Sequence, residues 1–123
     1  MARTEMTEIK VADQFTPYPF GRYPTHGPYS GQRFREEILR PAITNGDRFV
    51  VIDFTGVRSY SSSFLEEVFG GLVRAGIDPE LLKDRVRIVA GSDSFLESEV
   101  IGYIDEASNH LMDRRADGAL KMG

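Results

Sequence analysis

The chain has 123 residues and a formal net charge of −4, which gives no electrostatic footprint for general binding to nucleic acid or to acidic membranes. It contains no cysteine, so disulfides and thiolate metal sites are excluded. Its two histidines, His26 and His110, are too far apart in sequence to form a metal motif. We therefore expect no metal and no cofactor, and neither nucleic acid nor a membrane among its partners.

The length is that of one ordinary domain. We expect a single domain over residues 1–123, with a core in about 7–112 and flexible ends at 1–5 and 114–123. The first ten residues are polar and charged and lack the apolar region of a signal peptide. No apolar run approaches the length of a membrane span. The sequence thus predicts a soluble, cytoplasmic protein.

The first elements are a strand and a long loop. Thr7–Ala12 alternates polar and apolar residues, which predicts a half-buried or edge strand. Thr16–Gly31 then holds four prolines, three glycines and four aromatic residues. This density of proline and glycine excludes a continuous helix, and the aromatic residues exclude a simple flexible linker. We expect an ordered, packed loop with a short edge strand around Phe20–Tyr23, and ordered long loops often carry function.

A helix and the strongest strand follow. We expect Ser30 to cap the helix and the turn Asn45–Asp47 to end it. Pro41 should disturb the helix, because proline cannot donate a backbone hydrogen bond. Its apolar positions have helical spacing: Phe34, Ile38 and Leu39. The strand spans Arg48–Thr55 and shows no polar alternation, which predicts burial on both of its faces.

The second half predicts two further helices and a third strand. A helix over Ser62–Ala75, with Ser62 as N-cap and Gly76 as its stop, buries one apolar stripe made of Phe64, Leu65, Val68, Phe69, Leu72 and Val73. A helical turn at Asp78–Leu82 and a strand over Arg85–Ala90 come next. Ser92 and Asp93 open the last helix, with core candidates Phe95, Leu96, Val100, Ile101, Ile104, Ala107 and Leu111. Alternation of strands and helices predicts an α/β layer fold with a largely parallel sheet.

The middle of the chain resembles a known family. The runs Ile52–Val57, Ser61–Leu65 and Glu66–Gly70 resemble a STAS-like domain family of unassigned function, found in bacteria and phages and similar to the STAS domains of anti-sigma factor antagonists. The likeness includes Ser30–Arg35 and covers about Ile9–Ile104. It implies a STAS-like α/β fold, with a small mixed sheet of largely parallel centre and about three helices.

The resemblance also implies a function. In antagonist STAS domains an Asp-Ser-Ser-Gly motif opens this helix, and a serine there is phosphorylated by a partner kinase with a histidine-kinase-like ATPase fold. Here Ser61 occupies the Asp position, Ser62 the phosphoacceptor position, Ser63 the next serine position and Phe64 the Gly position. The acidic neighbour is thus absent, and a bulky residue replaces the glycine. The implied partner is an ATPase or kinase of the anti-sigma type or a protein encoded in the same operon, with Asp53 and the three serines as the partner-binding residues.

Each candidate residue has a simpler structural role as an alternative. The serines form a good helix cap, and Asp53 can stabilise the turn that follows its strand. Arg22, Ser30, Gly31 and Arg33 form a candidate anion-binding site at a helix start, or a capped helix with solvated arginines. No acid, base and nucleophile converge, so we expect no enzyme. The leading hypothesis is a regulatory protein-interaction module, and the alternative is a small-ligand or anion-binding domain that uses the Gly21–Arg33 loop.

Overall fold

The computed structural model describes residues 6–46 and 48–122, with the backbone alone described from residue 115 onward. Three strands, β1 (Met6–Lys10), β2 (Phe49–Asp53) and β3 (Val86–Val89), form one sheet in the order β1-β2-β3. Both strand pairs are parallel, so the predicted α/β fold with a parallel centre is confirmed. Among the described residues, no antiparallel strand joins this sheet.

Helices connect the strands, as parallel neighbours require. After β1 comes the short helix α1 (Val11–Gln14), and after a loop comes α2 over residues 31–44. Helix α3 covers residues 62–74 and helix α4 covers Pro79–Arg85, and along the chain both follow β2 and precede β3. The last helix is α5 (Leu96–Met122). A π-helical turn interrupts α2 at Arg35–Leu39, just before the predicted disturbance at Pro41.

The apolar stripe of α3 packs on one face of the sheet. All six of its predicted residues are buried: Phe64, Leu65, Val68, Phe69, Leu72 and Val73. From the sheet, Ile9, Val50 and Ile52 are buried in the same cluster. Gly76 ends the helix as predicted, since its positive φ of 102° allows Ile77 to donate to the Leu72 carbonyl.

The opposite face of the sheet is partly open. Val50 and Ile52 are buried, whereas Phe49 and Val51 are only half-buried, so the prediction that both faces of this strand are covered is wrong. On this face the ring of Phe49 lies beside charged groups, with the Arg87 guanidinium 4.6 Å from its ring centroid. Arginine side chains therefore contribute to the partial burial of Phe49.

Other element boundaries also differ from the predictions. The first strand stops at Lys10, because Val11 and Ala12 begin α1, and the predicted edge strand at Phe20–Tyr23 is absent. A short 3-10 helix, Pro24–His26, lies in that loop instead. The last helix starts at Leu96, four residues after the predicted start at Ser92. Two of its predicted core residues are exposed, Phe95 at 72% and Ile101 at 40%. Its other core candidates are buried or half-buried.

The predicted flexible ends and turn are described only in part. Residues 1–5 and Asp47 lie outside the described residues. Asn45 and Gly46 do form a turn, in which Gly46 has a φ of 94°. The backbone of α5 is helical through Met122. Fraying of residues 114–123 remains a prediction.

Candidate functional site

Ser61, and not the predicted Ser62, caps helix α3. Its backbone is extended, with φ −94° and ψ 149°, and its hydroxyl accepts from the backbone N–H of Phe64 at 3.1 Å. The same hydroxyl accepts from the backbone N–H of Gly21 at 3.0 Å. Ser63 lies beside it, with 3.1 Å between the two hydroxyl oxygens. Ser61 therefore joins the start of α3 to the loop that precedes α2.

Ser62 is the exposed member of the three serines. It is the first residue of α3, whereas its two neighbours are half-buried. It lies near Tyr103 of α5. Burial, followed by the charge of Glu99, raises the pKa of Tyr103 above its ordinary value, and the nearby Ser62 hydroxyl opposes this. The hydroxyl of Ser62 can therefore be modified without loss of the helix cap.

Asp53 serves the turn after β2. Its carboxylate accepts from the backbone N–H of Thr55 at 2.8 Å, and bonds from Thr55 hold its pKa below the ordinary value. It pairs in register with Lys10 and Val89, so it belongs to the half-open face of the sheet. Among the described residues, its hydrogen bonds lead to Thr55 and not to the serines. The structure thus brings the three serines together and leaves Asp53 in an Asx turn.

The start of α2 is enclosed by the protein itself. Ser30 is fully buried, and its hydroxyl accepts from the backbone N–H of Arg33 at 3.3 Å. The N–H groups of Gly31 and Gln32 donate to the carbonyls of Gly21 and Arg22, at 2.8 and 2.9 Å. The N–H groups that would bind an anion at this helix start therefore already have protein acceptors.

Gly31 sets the distance between α2 and α3. A Cβ atom at this position would lie 2.8 Å from the carbonyl oxygen of Phe64 and 2.9 Å from the Cβ of Glu67. Real side chains do not tolerate such contacts with backbone atoms. The glycine predicted as part of an anion site therefore has a clear packing role, because it allows the two helices to meet at their N-terminal ends.

Both arginines of the predicted anion site bind protein groups. Arg22 donates to Glu66 and to Glu67, and the bond to Glu66 raises its pKa above the ordinary value. Arg33 donates to the Pro28 carbonyl at 2.6 Å and to the exposed carboxylate of Glu37 at 3.2 Å. Each of the four predicted residues therefore already has a hydrogen-bond partner within the protein.

A buried ion network lies below the loop and was missed by the sequence analysis. The Glu67 side chain is 7% exposed and accepts from Arg35 at 2.6 Å. Arg35 also donates to the backbone carbonyl of Glu67 at 2.8 Å. Arg74 bonds to the neighbouring Glu66 at 2.7 Å, and with Arg22 it holds the pKa of Glu66 below the ordinary value despite burial. The network ties α2, α3 and the loop to one another.

Two consecutive glycines in α3 make room for this network. A Cβ at Gly71 would lie 2.2 Å from the Arg35 guanidinium, and one at Gly70 would lie 2.3 Å from a carboxylate oxygen of Glu66. Glycine inside a helix costs about 1 kcal/mol relative to alanine. The pair in the middle of a predicted helix was therefore the available signal that another group approaches the helix backbone.

The aromatic loop, residues 16–30, is ordered as predicted but turns its aromatic residues outward. Tyr18 and Phe20 are 57% and 61% exposed, and Tyr23 and Tyr29 are also exposed. Backbone hydrogen bonds hold the loop, from Phe20 to the Tyr29 carbonyl at 3.1 Å and from Arg58 to the Pro17 carbonyl at 2.8 Å. The loop thus presents several large apolar side chains to solvent on a fixed backbone.

Two further site types have no candidate in the part of the chain that the structure describes. No described helix combines the length and the apolar character needed to cross a bilayer. Within the same residues, no group of three or more His, Asp or Glu side chains is arranged to hold a metal ion.

The fold and the serine turn agree with one protein family. Residues 30–96 match the family model described as a STAS-like domain of unknown function. The chain belongs to this family. Comparisons with curated proteins and with solved structures find no match. The matched part of this STAS-like domain runs from the Ser30 cap to the first residue of α5. It therefore contains the serine turn and the ion network of α2 and α3. Most of the aromatic loop precedes the matched part.

Proposed function

We propose that this STAS-like domain is a non-enzymatic regulatory module that binds a partner protein. The binding surface is the aromatic loop together with the exposed start of α3 at Ser62. The observation that carries this proposal is the exposure of four aromatic side chains on a loop whose backbone is fixed by hydrogen bonds. Tyrosine and phenylalanine are enriched in protein interfaces, and a fixed loop loses little conformational entropy when it binds.

The resemblance to anti-sigma factor antagonists supplies the class of partner. The partner is an ATPase or kinase with a histidine-kinase-like fold, or a protein encoded beside this one. In that class of complex the kinase acts on a serine at the start of the helix that corresponds to α3. Ser62 suits this role because it is an exposed residue, while the hydroxyl of Ser61 is occupied by the cap and by Gly21.

Phosphorylation of Ser62 would act as a surface switch. A phosphate adds about −1.5 to −2 charges, and a helix N-terminus stabilises negative charge. The fold would therefore tolerate the modification, while the charge of the binding surface would change. Glu66, which lies one turn later, would repel the phosphate. We infer that phosphorylation changes partner affinity and leaves the core intact.

Partner capture with matched variants tests the binding proposal. Wild-type protein, Phe20→Ala and Phe95→Ala would be used to capture proteins from the native cell, and the recovered proteins would be measured by isothermal titration calorimetry. Phe95 is an exposed phenylalanine outside the loop and serves as the control. We expect Phe20→Ala to weaken binding and Phe95→Ala to preserve it. An equal effect of the two variants on every captured protein would exclude the loop as the binding surface.

Mass spectrometry tests the switch separately. Protein isolated from its native cell should carry phosphate on the peptide that contains Ser61–Ser63, and the Ser62→Ala variant should lose it. Absence of phosphate from this peptide in every growth condition would refute the switch, while the binding proposal would stand on the capture experiment.

Anion binding by Arg22, Ser30, Gly31 and Arg33 is the second candidate and has weaker support, because these residues already hydrogen-bond with other groups of the protein. A thermal-shift screen with phosphates and nucleotides tests it. Stabilisation that disappears in Arg22→Ala or Arg33→Ala would favour this candidate over protein binding.

A further inference from the structure

The order of the strands explains why one face of the sheet is open. The three strands are parallel and lie in chain order, β1-β2-β3. Crossovers between parallel strands are almost always right-handed, so two successive crossovers in the same direction place their helices on the same face. Helices α2 and α3 therefore share one face of the sheet. Parallel sheets usually have both faces covered, which makes the second face a candidate for contact with another protein chain.

We call this second face the open face. Because side chains alternate between the two faces along a strand, the open face consists of Met6, Glu8 and Lys10 of β1, Phe49, Val51 and Asp53 of β2, and Arg87 and Val89 of β3. The residues from β1 and β3 are exposed, and those from β2 are half-buried. Met6 and Val89 are apolar and are 50% and 42% exposed. The open face therefore combines accessible apolar and charged side chains.

The middle row of the open face has opposite charges at its two ends. Strand register places Glu8 on one side of Val51 and Arg87 on the other. Within the described part of the chain, no group forms an ion pair or a hydrogen bond with the Glu8 side chain. The Arg87 guanidinium donates through one nitrogen to the carbonyls of Asp84 and Val86, which are neutral acceptors. Both charges therefore lack an opposite charge within these residues.

We propose that the open face binds a second copy of this chain, with the two sheets face to face and related by a two-fold axis along β2. This rotation keeps the strand direction and reverses the strand order, so β1 of one copy lies opposite β3 of the other. Glu8 then faces Arg87 of the second copy, and the symmetry forms the same pair twice. Phe49 and Val51 lie near the axis and contact their equivalents. Sheets packed in this way lie about 10 Å apart, with strand directions within about 30°.

Charge distinguishes this dimer from the other face-to-face arrangement. A two-fold axis across the strands would place Glu8 opposite Glu8 and Arg87 opposite Arg87 of the second copy, and like charges at an interface are unfavourable. Asp53 lies near the proposed axis, but its carboxylate is bonded to the Thr55 N–H, and Lys10 lies beside it in register. These contacts reduce the repulsion between the two copies of Asp53.

The size of the open face predicts a weak, reversible dimer. Three strands of four or five residues cover about 14 by 17 Å, or about 240 Å². Each partner of a stable complex buries about 800 Å². We therefore expect a dissociation constant of about 0.1–1 mM. The open face shares no residue with the aromatic loop or with Ser62, so this dimer is independent of the proposed partner surface.

Sedimentation equilibrium of the full chain, from about 10 µM to about 2 mM, tests the proposal. Glu8→Arg and Arg87→Glu each place like charges at both ion pairs and should weaken dimerisation by about tenfold or more. The double variant Glu8→Arg, Arg87→Glu exchanges the two charges and should dimerise within about threefold of the wild type. Only the axis along β2 predicts this recovery, because the other axis again brings like charges together. High salt should weaken the wild-type dimer.

Glu80→Arg is the matched control. It makes the same change of charge on α4, where the Glu80 side chain is 82% exposed and 3.5 Å from Lys83, and it should leave self-association unchanged. Urea unfolding of every variant checks that the fold is retained. Arg87 contacts the Phe49 ring, so its substitution can lower stability. Glu8→Arg removes no such side-chain contact and decides the proposal if Arg87→Glu fails to fold.

Three results would overturn the proposal. The first is a wild-type chain that remains monomeric up to about 2 mM. The second is a dimer that Glu8→Arg leaves as tight as the wild type, or that Glu80→Arg weakens equally, since the effect would then come from net charge. The third is a double variant that folds and does not recover dimerisation, which would exclude the axis along β2.

Discussion

We expect the substitution Glu67→Gln to lower the free energy of unfolding by about 3 kcal/mol, because loss of one partner from a buried ion pair costs about 3–5 kcal/mol. The side chains of Glu67 and Arg35 are 7% and 12% exposed, so the Arg35 charge cannot regain full hydration after the substitution. Arg35 keeps two acceptors, Glu36 and the backbone carbonyl of residue 67. These remaining partners justify the lower end of the range.

Urea unfolding followed by circular dichroism measures this change. A chain of this size has a stability of about 6–18 kcal/mol, so the variant should remain folded, with a melting temperature about 10 °C lower. The control is Glu37→Gln, which removes an exposed ion pair to Arg33 and should cost less than about 1 kcal/mol. Equal losses in the two variants would refute the view that burial makes the Glu67 network important.

Three further substitutions or conditions test the site. Ser61→Ala should lose about 0.5–2 kcal/mol of stability in urea unfolding, whereas Ser62→Ala should lose almost none; the reverse order would mean that Ser61 is not the cap. Gly31→Ala should lose about 1–3 kcal/mol, since its Cβ would lie 2.8 Å from a carbonyl oxygen of α3, whereas Gly102→Ala, with open space around it, should be neutral or slightly stabilising. The folded pKa of Glu66 lies below its unfolded value of about 4.3, so the stability from Glu66 is complete above that pH and is lost as the pH falls through the folded pKa. Urea midpoints should therefore fall less with acid in Glu66→Gln than in the wild type, and equal slopes would contradict this.

The sequence was sufficient to predict the helices and strands that are determined by a local, periodic pattern of apolar residues. The stripe of α3 from Phe64 to Val73 is buried in full, because apolar residues at helical spacing can face one core. The N-cap was placed one residue late, since Ser61 and Ser62 have the same chemistry. The contact that favours Ser61 comes from Gly21, which lies 40 positions earlier. Local pattern alone cannot contain that information.

The buried charges could not be found in the same way. Glu67 lies near the start of a helix, where the helix dipole favours acidic residues, so its position in the sequence does not indicate that it is buried. Its partner Arg35 is 32 positions away. Similarly, the apolar character of Phe95 and Ile101 suggested the core, but α5 begins only at Leu96 and turns them toward solvent. Whether these residues are buried depends on how the helices and strands pack against one another, and not on the sequence of each segment alone.

The all-parallel sheet has a consequence for the order of folding. Met6 pairs with Phe49, and Val50 pairs with Val86, so no strand can pair with a neighbour through a short hairpin. Each pairing must close a segment of about 40 residues, and such distant contacts form slowly. We expect α2 and α3 to form first and the sheet to assemble late. Kinetic measurements on Ile52→Val should then give a φ value close to zero, with the change in stability appearing in the unfolding rate.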